Sequence, residues 1–149
     1  MLLPKSRKAA AWVAICIGCV AGAEGLRTAA YRDPVGIPTV CFGETRNIKL
    51  GDKFTIEQCK DMLGARVEEF GRGVDSCVQA PMTPERKAAL VSFSYNVGTA
   101  AFCSSTLVKR LNASDPHACD ELLRWTKAKG IELPGLVKRR QEERALCLA

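Results

Sequence analysis

The stretch that decides the reading is Ala23 to Thr45, "AEGLRTAAYRDPVGIPTVCFGET". It places Glu24, Asp33 and Thr39 at the spacing E-x8-D-x5-T, directly behind a run without charge. Gly25 follows Glu24, and helices often end on a glycine that takes the left-handed conformation. Glu24 is therefore expected on the last turn of a helix, facing a cleft. Asp33 is expected at the end of a short strand, before the Pro34-Val35-Gly36 turn, with Thr39 on the returning strand. Two carboxylates and a hydroxyl gathered in this way suit glycoside cleavage. One carboxylic acid, partly buried, protonates the leaving oxygen; a second carboxylate stays ionised and supports a water or the cationic sugar. By these roles Glu24 is the acid, Asp33 the carboxylate and Thr39 the water-positioning hydroxyl. The plainer alternative is a solvated helix end, a turn-former before proline and an ordinary strand threonine.

Working towards the N-terminus, Ala9 to Ala23 contains only Ala, Gly, Val, Ile, Cys and Trp, behind Lys5, Arg7 and Lys8. A basic n-region and an apolar run make an export signal. Fifteen residues, with six alanines, two glycines and no leucine, fall short of the roughly 20 that a stable membrane span needs. Ala21-Gly22-Ala23 supplies small residues of a signal-cleavage kind. Cleavage there would leave Glu24 as a chain terminus without its supporting turn.

Towards the C-terminus the chain reads as helices. Thr55 and Gln58 form a capping box, and Cys59, Met62, Leu63, Val67 and Phe70 follow at helical spacing. Thr83-Pro84 opens a helix whose Ala88 to Val97 stretch is apolar on most sides, as a central helix would be. Asp115-Pro116 repeats that start signal, and a last helix is expected from about Pro134 through Leu146. The fold class is α+β: a small strand-rich lobe, then a helical lobe, with a cleft between them.

The chain has 149 residues, 47% of them hydrophobic, and a net charge of +6. That suits one domain and a polyanionic partner such as the bacterial wall or an anionic membrane face. Basic residues are interleaved with acids and no nucleic-acid motif is visible, so no nucleic-acid partner is expected. The eight cysteines lack the two close ligand pairs of a zinc site, and the sole histidine, His117, is remote. Disulfides in an oxidising compartment are the better reading, and no metal is expected. Six cysteines allow 15 pairings, so spacing alone leaves the connectivity open. His117 reads as solvated, Trp125 as packing, and Arg139 and Arg140 as ion pairs on a helix face.

The Glu24–Thr45 segment resembles the active-site segment of the phage-type lysozymes, glycoside hydrolase family 24. The pattern E-G-L-R-x3-Y-x-D-x2-G-x2-T-x3-G fits at Glu24, Gly25, Leu26, Arg27, Tyr31, Asp33, Gly36, Thr39 and Gly43. "ALVSFSYNVGTAAF", "STLVKRLN" and "GLVKRRQEERALCL" are similar to later helices of that family. The resemblance implies a lysozyme-like fold, here with an N-terminal apolar signal-anchor segment. It implies a muramidase that cuts the β-1,4 bond between N-acetylmuramic acid and N-acetylglucosamine in peptidoglycan without a cofactor, acting as a monomer. It carries the catalytic trio onto Glu24, Asp33 and Thr39, and glycan contacts onto Tyr95 and Ser105.

The front of the chain resembles signal-anchor-release endolysins of lambdoid phages. That implies residues 1–23 as the anchor segment and 24–149 as the catalytic domain. It also implies export by the host secretion system, tethering at the inner membrane through residues 9–23, and later release to the periplasm in step with a pore-forming holin. The pairs it implies are Cys41–Cys59, Cys77–Cys103 and Cys119–Cys147. Cys16 and Cys19 are left in the anchor, either as small apolar residues, as a pair with each other, or as thiols that exchange with a disulfide after release. Three other readings stay open: a lytic transglycosylase, a secreted wall-binding module without catalysis, and a membrane-lesion protein acting through its apolar segment.

Overall fold

A computed structural model describes residues 7–149, with side chains described from residue 11 onward. The basic n-region expected at residues 5–8 lies partly outside the described residues. Helix α1 runs Arg7–Glu24 and stops where the sequence predicts. Gly25 takes φ +72°, and its N–H reaches back to the Ala21 carbonyl at 3.1 Å. A residue with a Cβ resists that backbone conformation.

Strands β1 (Arg27–Arg32) and β2 (Pro38–Cys41) then pair antiparallel, with Tyr31 opposite Thr39 and Arg27 opposite Cys41. Their turn is closed by the Gly36 N–H on the Asp33 carbonyl at 2.9 Å. Isolated bridges Ala29–Lys53 and Val40–Glu44 complete the small lobe.

The helical lobe follows. Helix α2 (Ile56–Cys77) opens with the capping box: Thr55 Oγ1 accepts from the Gln58 N–H, and the Gln58 side chain accepts from the Thr55 N–H. Helix α3 (Pro84–Val97) opens on Thr83 with proline in its first turn, and is buried continuously from Ala88 to Ser94. It is the central helix that its apolar composition predicts. Short helices α4 (Thr99–Cys103) and α5 (Thr106–Asn112) turn the chain. The helix expected after Asp115-Pro116 is a 3-10 helix, Ala118–Arg124. There the Asp115 carboxylate bonds the His117 N–H at 2.8 Å, a turn rather than a helix cap. A second small hairpin, β3 (Lys127–Ala128) with β4 (Ile131–Glu132), has no strand signal in the sequence. Helix α6 (Pro134–Leu148) ends the fold.

The core joins the first hairpin and the helices, while the β3–β4 hairpin stays exposed. Cys16 and Val20 of α1 are fully buried in it beside Val67, Val74, Leu90 and Phe93. Trp12 lies against Gly71 of α2, where no side chain intervenes. Its indole also carries Lys87 Nζ at 4.5 Å from the ring centroid. The apolar N-terminal run is thus part of the folded body. No helix among the described residues is long and apolar enough to cross a membrane.

Six cysteines form Cys41–Cys59, Cys77–Cys103 and Cys119–Cys147, which tie β2 to α2, α2 to α4, and the 3-10 helix to α6. They close 18, 26 and 28 residues of separation; loops of that size are worth about 3 kcal/mol each in the chain-entropy account. Cys16 and Cys19 are free thiols, the first buried and the second half-buried.

Candidate active site

The site is built at the root and along the length of the first hairpin. Glu24, the last residue of α1, is partly buried, with 26% of its side chain exposed. Two neighbours fix its carboxylate. Arg139 of α6 donates from Nη1 to Oε1 at 2.8 Å. On the other side stands Gly43, just past β2, where a Cβ would lie 3.3 Å from Glu24 Oε2. Gly43 also has φ +79°, so both the backbone and the space call for glycine.

Asp33 sits at the far end of β1. Its Oδ1 accepts from the Val35 and Ile37 N–H groups, both at 2.9 Å. These two bonds fix the carboxylate over the turn. Thr39 is buried at 4% exposure on β2. Its Oγ1 donates to the Ile37 carbonyl at 2.9 Å, the same carbonyl that accepts the Asp33 N–H at 2.9 Å. Asp33 and Thr39 are thus locked to one another through Ile37. With its proton committed, the Thr39 hydroxyl offers only lone pairs, so a water beside it must donate to it.

The loop that presents Gly43 is itself clamped. Tyr95 of α3 donates its hydroxyl to the Phe42 carbonyl at 2.7 Å. Glu44 takes Arg66 in a fork, Nε at 2.7 Å and Nη2 at 3.1 Å, and accepts the Arg46 and Thr45 N–H groups as well. Burial alone would raise the Glu44 carboxyl, but the Arg66 bond and those amides overrule it and hold it below the usual range. Burial, then the nearby charges of Glu24 and Glu44, push the Tyr95 phenol well up. Tyr95 therefore acts as a neutral donor.

Tyr95 lines a cavity of about 220 Å³ with Gly43, Thr45 and Phe70. A larger one, about 680 Å³, opens on the other side of Glu24 between α1 and α6, lined by Gly22, Ala23, Leu133 and Arg139 among others. Ser105 stands elsewhere in the economy of the fold. It is buried, caps α5 by accepting the Val108 N–H at 3.3 Å, and donates to Phe102 at 2.6 Å. That geometry gives it a capping job and leaves it little to offer a glycan.

Arg139 and Arg140 form the ion pairs along α6 that the sequence suggests, both with Glu143; what the sequence does not show is their burial, at 8% and 1% exposure. Arg139 donates from Nη2 to the Ser92 carbonyl at 3.2 Å, in addition to its bond with Glu24. Arg140 pairs with Glu143 and Asn96, and its Nε donates to the Trp125 carbonyl at 2.9 Å. Glu143, 1% exposed, accepts the Ser92 hydroxyl at 2.7 Å. The signal was present. Leu136, Arg140, Glu143 and Cys147 recur at steps of three and four residues, so one helix face carries the two charges between two apolar residues. His117 is exposed, as its sequence context predicts. Trp125 packs edge-on against Phe93 at 5.2 Å between centroids.

A hairpin lobe and a helical lobe, with Glu24 at a helix end between them and Asp33 and Thr39 along the hairpin, make a lysozyme-like fold. The phage lysozyme family model matches residues 21–143, and the chain belongs to the phage lysozyme family. A SAR-endolysin of Bacteriophage PS119 is 40% identical over 129 residues, covering 85% of this chain and 77% of that protein. A SAR-endolysin of Pseudomonas phage phiKMV is 38% identical over 149 residues, covering 97% and 92%. Among solved structures, an endolysin from Escherichia coli O157:H7 phage FAHEc1 is similar at TM-score 0.82 and 32% identity, over 99% of this chain and 95% of that one. The fold also matches the active form of the P1 phage endolysin at TM-score 0.82 and 22% identity, covering 90% and 83%. It matches the secreted inactive form of the same protein at only 0.61 and 18%, covering 95% and 96%.

Proposed function

We propose that Glu24, Asp33 and Thr39 carry the reaction of this lysozyme. The enzyme is a muramidase that hydrolyses the β-1,4 bond between N-acetylmuramic acid and N-acetylglucosamine in peptidoglycan, and it serves as a phage endolysin in host lysis. The supporting observation is the setting of the Glu24 carboxylate, held between Gly43 and Arg139 at the root of the hairpin that carries the other two residues.

Glu24 gives its proton to the glycosidic oxygen as the bond to C1 breaks. Arg139 then faces the negative charge left on Glu24, a pairing that strengthens as the proton leaves. A water held by Thr39 and Asp33 attacks C1 from the opposite face and passes a proton to Asp33, which inverts the configuration. Thr39 argues for water as the nucleophile and against an anhydro product. Tyr95 holds the Phe42–Gly43 turn in place against the acid. The net charge of +6 favours approach to an anionic wall.

Residues 1–23 we assign to a signal-anchor-release segment, and 24–149 to the catalytic domain. The chain is exported by the host secretion system, tethered at the inner membrane through residues 9–23, and released to the periplasm when a holin acts. The Ala/Gly-rich run is a marginal span, which leaves a bilayer at modest cost. While it spans, Cys16 and Val20 cannot fill the core and Glu24 cannot reach Arg139, so the site is incomplete. The greater likeness to the active than to the inactive form of the P1 enzyme supports reading the structure as the released state.

Clearing of outer-membrane-permeabilised Gram-negative cells by purified protein tests the catalytic assignment. The wild type should clear them, and Glu24→Gln should lose at least about a hundredfold in rate. Equal clearing by both would sink it. Products with hydrated rather than anhydro ends should accompany clearing.

A further inference from the structure

Arg139 has three donor nitrogens, and the structure uses them unevenly. Nη1 serves Glu24 at 2.8 Å and Nη2 serves the Ser92 carbonyl at 3.2 Å. Nε is buried and has no hydrogen-bond partner. Oε2 of Glu143 lies 3.6 Å from it, just too far to bond. That same oxygen accepts the Ser92 hydroxyl at 2.7 Å. The other oxygen of Glu143 is taken by Arg140. Glu143 is thus held off Arg139 by one hydroxyl, while one guanidinium lies between two carboxylates.

We propose that Glu143 is a positioning residue that shares Arg139 with Glu24, and that the Ser92 hydroxyl sets the division between them. A guanidinium given wholly to Glu24 would hold that residue as a carboxylate and take away the proton it must deliver. A guanidinium drawn to Glu143 would leave Glu24 more readily protonated and its side chain less firmly aimed.

The surroundings leave few other charges to do this work. Around Glu143 stand Arg139 and Arg140 on α6, and the Cys16 and Cys19 thiols across on α1. Burial pushes the Glu143 carboxyl above the usual carboxylate range, and Arg140, Ser92 and Arg139 offset that rise only in part. Around Glu24 stand Arg139 and Arg140, the Tyr95 phenol on α3 and, beyond it, Glu44. Both thiols and the phenol are pushed up and stay neutral near pH 7. The balance therefore rests on two arginines and the carboxylates.

The inference rests on Glu24 as the general acid. It predicts opposite responses from two variants in the pH profile of kcat/KM, whose alkaline limb follows the free enzyme's acid. Glu143→Gln removes the competing anion and should move that limb to lower pH by about one unit. Ser92→Ala frees Oε2 of Glu143 to take Arg139 Nε and should move it to higher pH, with KM unchanged in both. Ser92→Ala keeps every charge in place and carries the test should Glu143→Gln fail to fold, which a thermal melt would show. Limbs that coincide with the wild type, or that move together, overturn the proposal while Glu24→Gln remains inactive. If Glu24→Gln keeps its rate, the acid assignment itself falls, and the inference with it.

Discussion

Replacing Gly71 by alanine sets two effects of known sign against each other. Gly71 lies in the middle of α2, where alanine is favoured over glycine by about 1 kcal/mol. Judged on α2 alone, the variant should be more stable. But a Cβ at Gly71 would come within 2.9 Å of Trp12 Cζ2, 3.2 Å of Cζ3 and closer still to Cη2. The indole must leave its notch. Deleting a fully buried tryptophan costs about 3–5 kcal/mol; Trp12 is half-buried, so losing its packing should cost roughly 2 kcal/mol. The Lys87 contact over its ring adds about 0.5 kcal/mol. The net expectation is a loss of about 1.5 kcal/mol, a fall in Tm of about 3–6 °C for a chain of this size. Calorimetry of four proteins isolates the coupling: wild type, Gly71→Ala, Trp12→Ala and the double variant. In the Trp12→Ala background the notch is empty, and Gly71→Ala should raise Tm by about 2–4 °C. A rise in both backgrounds would refute the docking of α1 through Trp12.

Gly43→Ala should cost little stability, about 1 kcal/mol for a left-handed backbone. Because its Cβ presses on Glu24 Oε2 at 3.3 Å, kcat/KM on peptidoglycan should fall about tenfold or more; unchanged rates would show that the turn has slack. Acid stability should depend on Arg66. Glu44 is held low against its own burial by Arg66, and Glu69 is held low by Arg46 and Arg66. Depressed carboxyls stabilise the fold above their unfolded value of about 4.3 and lose that contribution as pH falls through the lower folded value. Melts between pH 5 and 3 should therefore show a fall in Tm that Arg66→Gln flattens, and parallel curves would contradict it. The two free thiols should differ in reactivity. Burial pushes the Cys16 thiol up to about 12, and half-buried Cys19 less far. Mass spectrometry after alkylation at pH 8 should find Cys19 modified well before Cys16, with the difference erased in denaturant; equal rates in the native protein would mean that α1 does not stay docked.

Local chemistry made much of this legible in the sequence. Gly25 announced the end of α1, Thr55 and Gln58 the start of α2, and Thr83-Pro84 the start of α3, because each is a signal carried within one turn. The Asp33–Thr39 hairpin followed from its own turn residues. What the sequence concealed depends on partners far along the chain. Arg139 is 115 residues from Glu24, and as a member of "KRRQEER" it reads as an ion pair on a helix face. Only the fold shows that it is buried against Glu24, with Glu143 and Ser92 around it. The apolar run from Ala9 to Ala23 was ambiguous for another reason: a helix that fills a core and a helix that enters a bilayer ask for the same side chains. Its glycines and alanines suit both. The 3-10 helix after Asp115 and the β3–β4 hairpin were invisible because short elements of this kind are set by what packs around them.

The central claim is that one helix serves first as an anchor and then as the carrier of the catalytic acid. The direct measurement is peptidoglycan hydrolysis by the full-length protein embedded in inner-membrane vesicles, before and after release from the bilayer. Release is scored by recovery in the soluble fraction. The account predicts no hydrolysis by the embedded protein, full activity in the released fraction, and none in a released Glu24→Gln control. Equal hydrolysis by embedded and released wild-type protein would contradict it, since Glu24 would then reach its site with α1 still in the membrane.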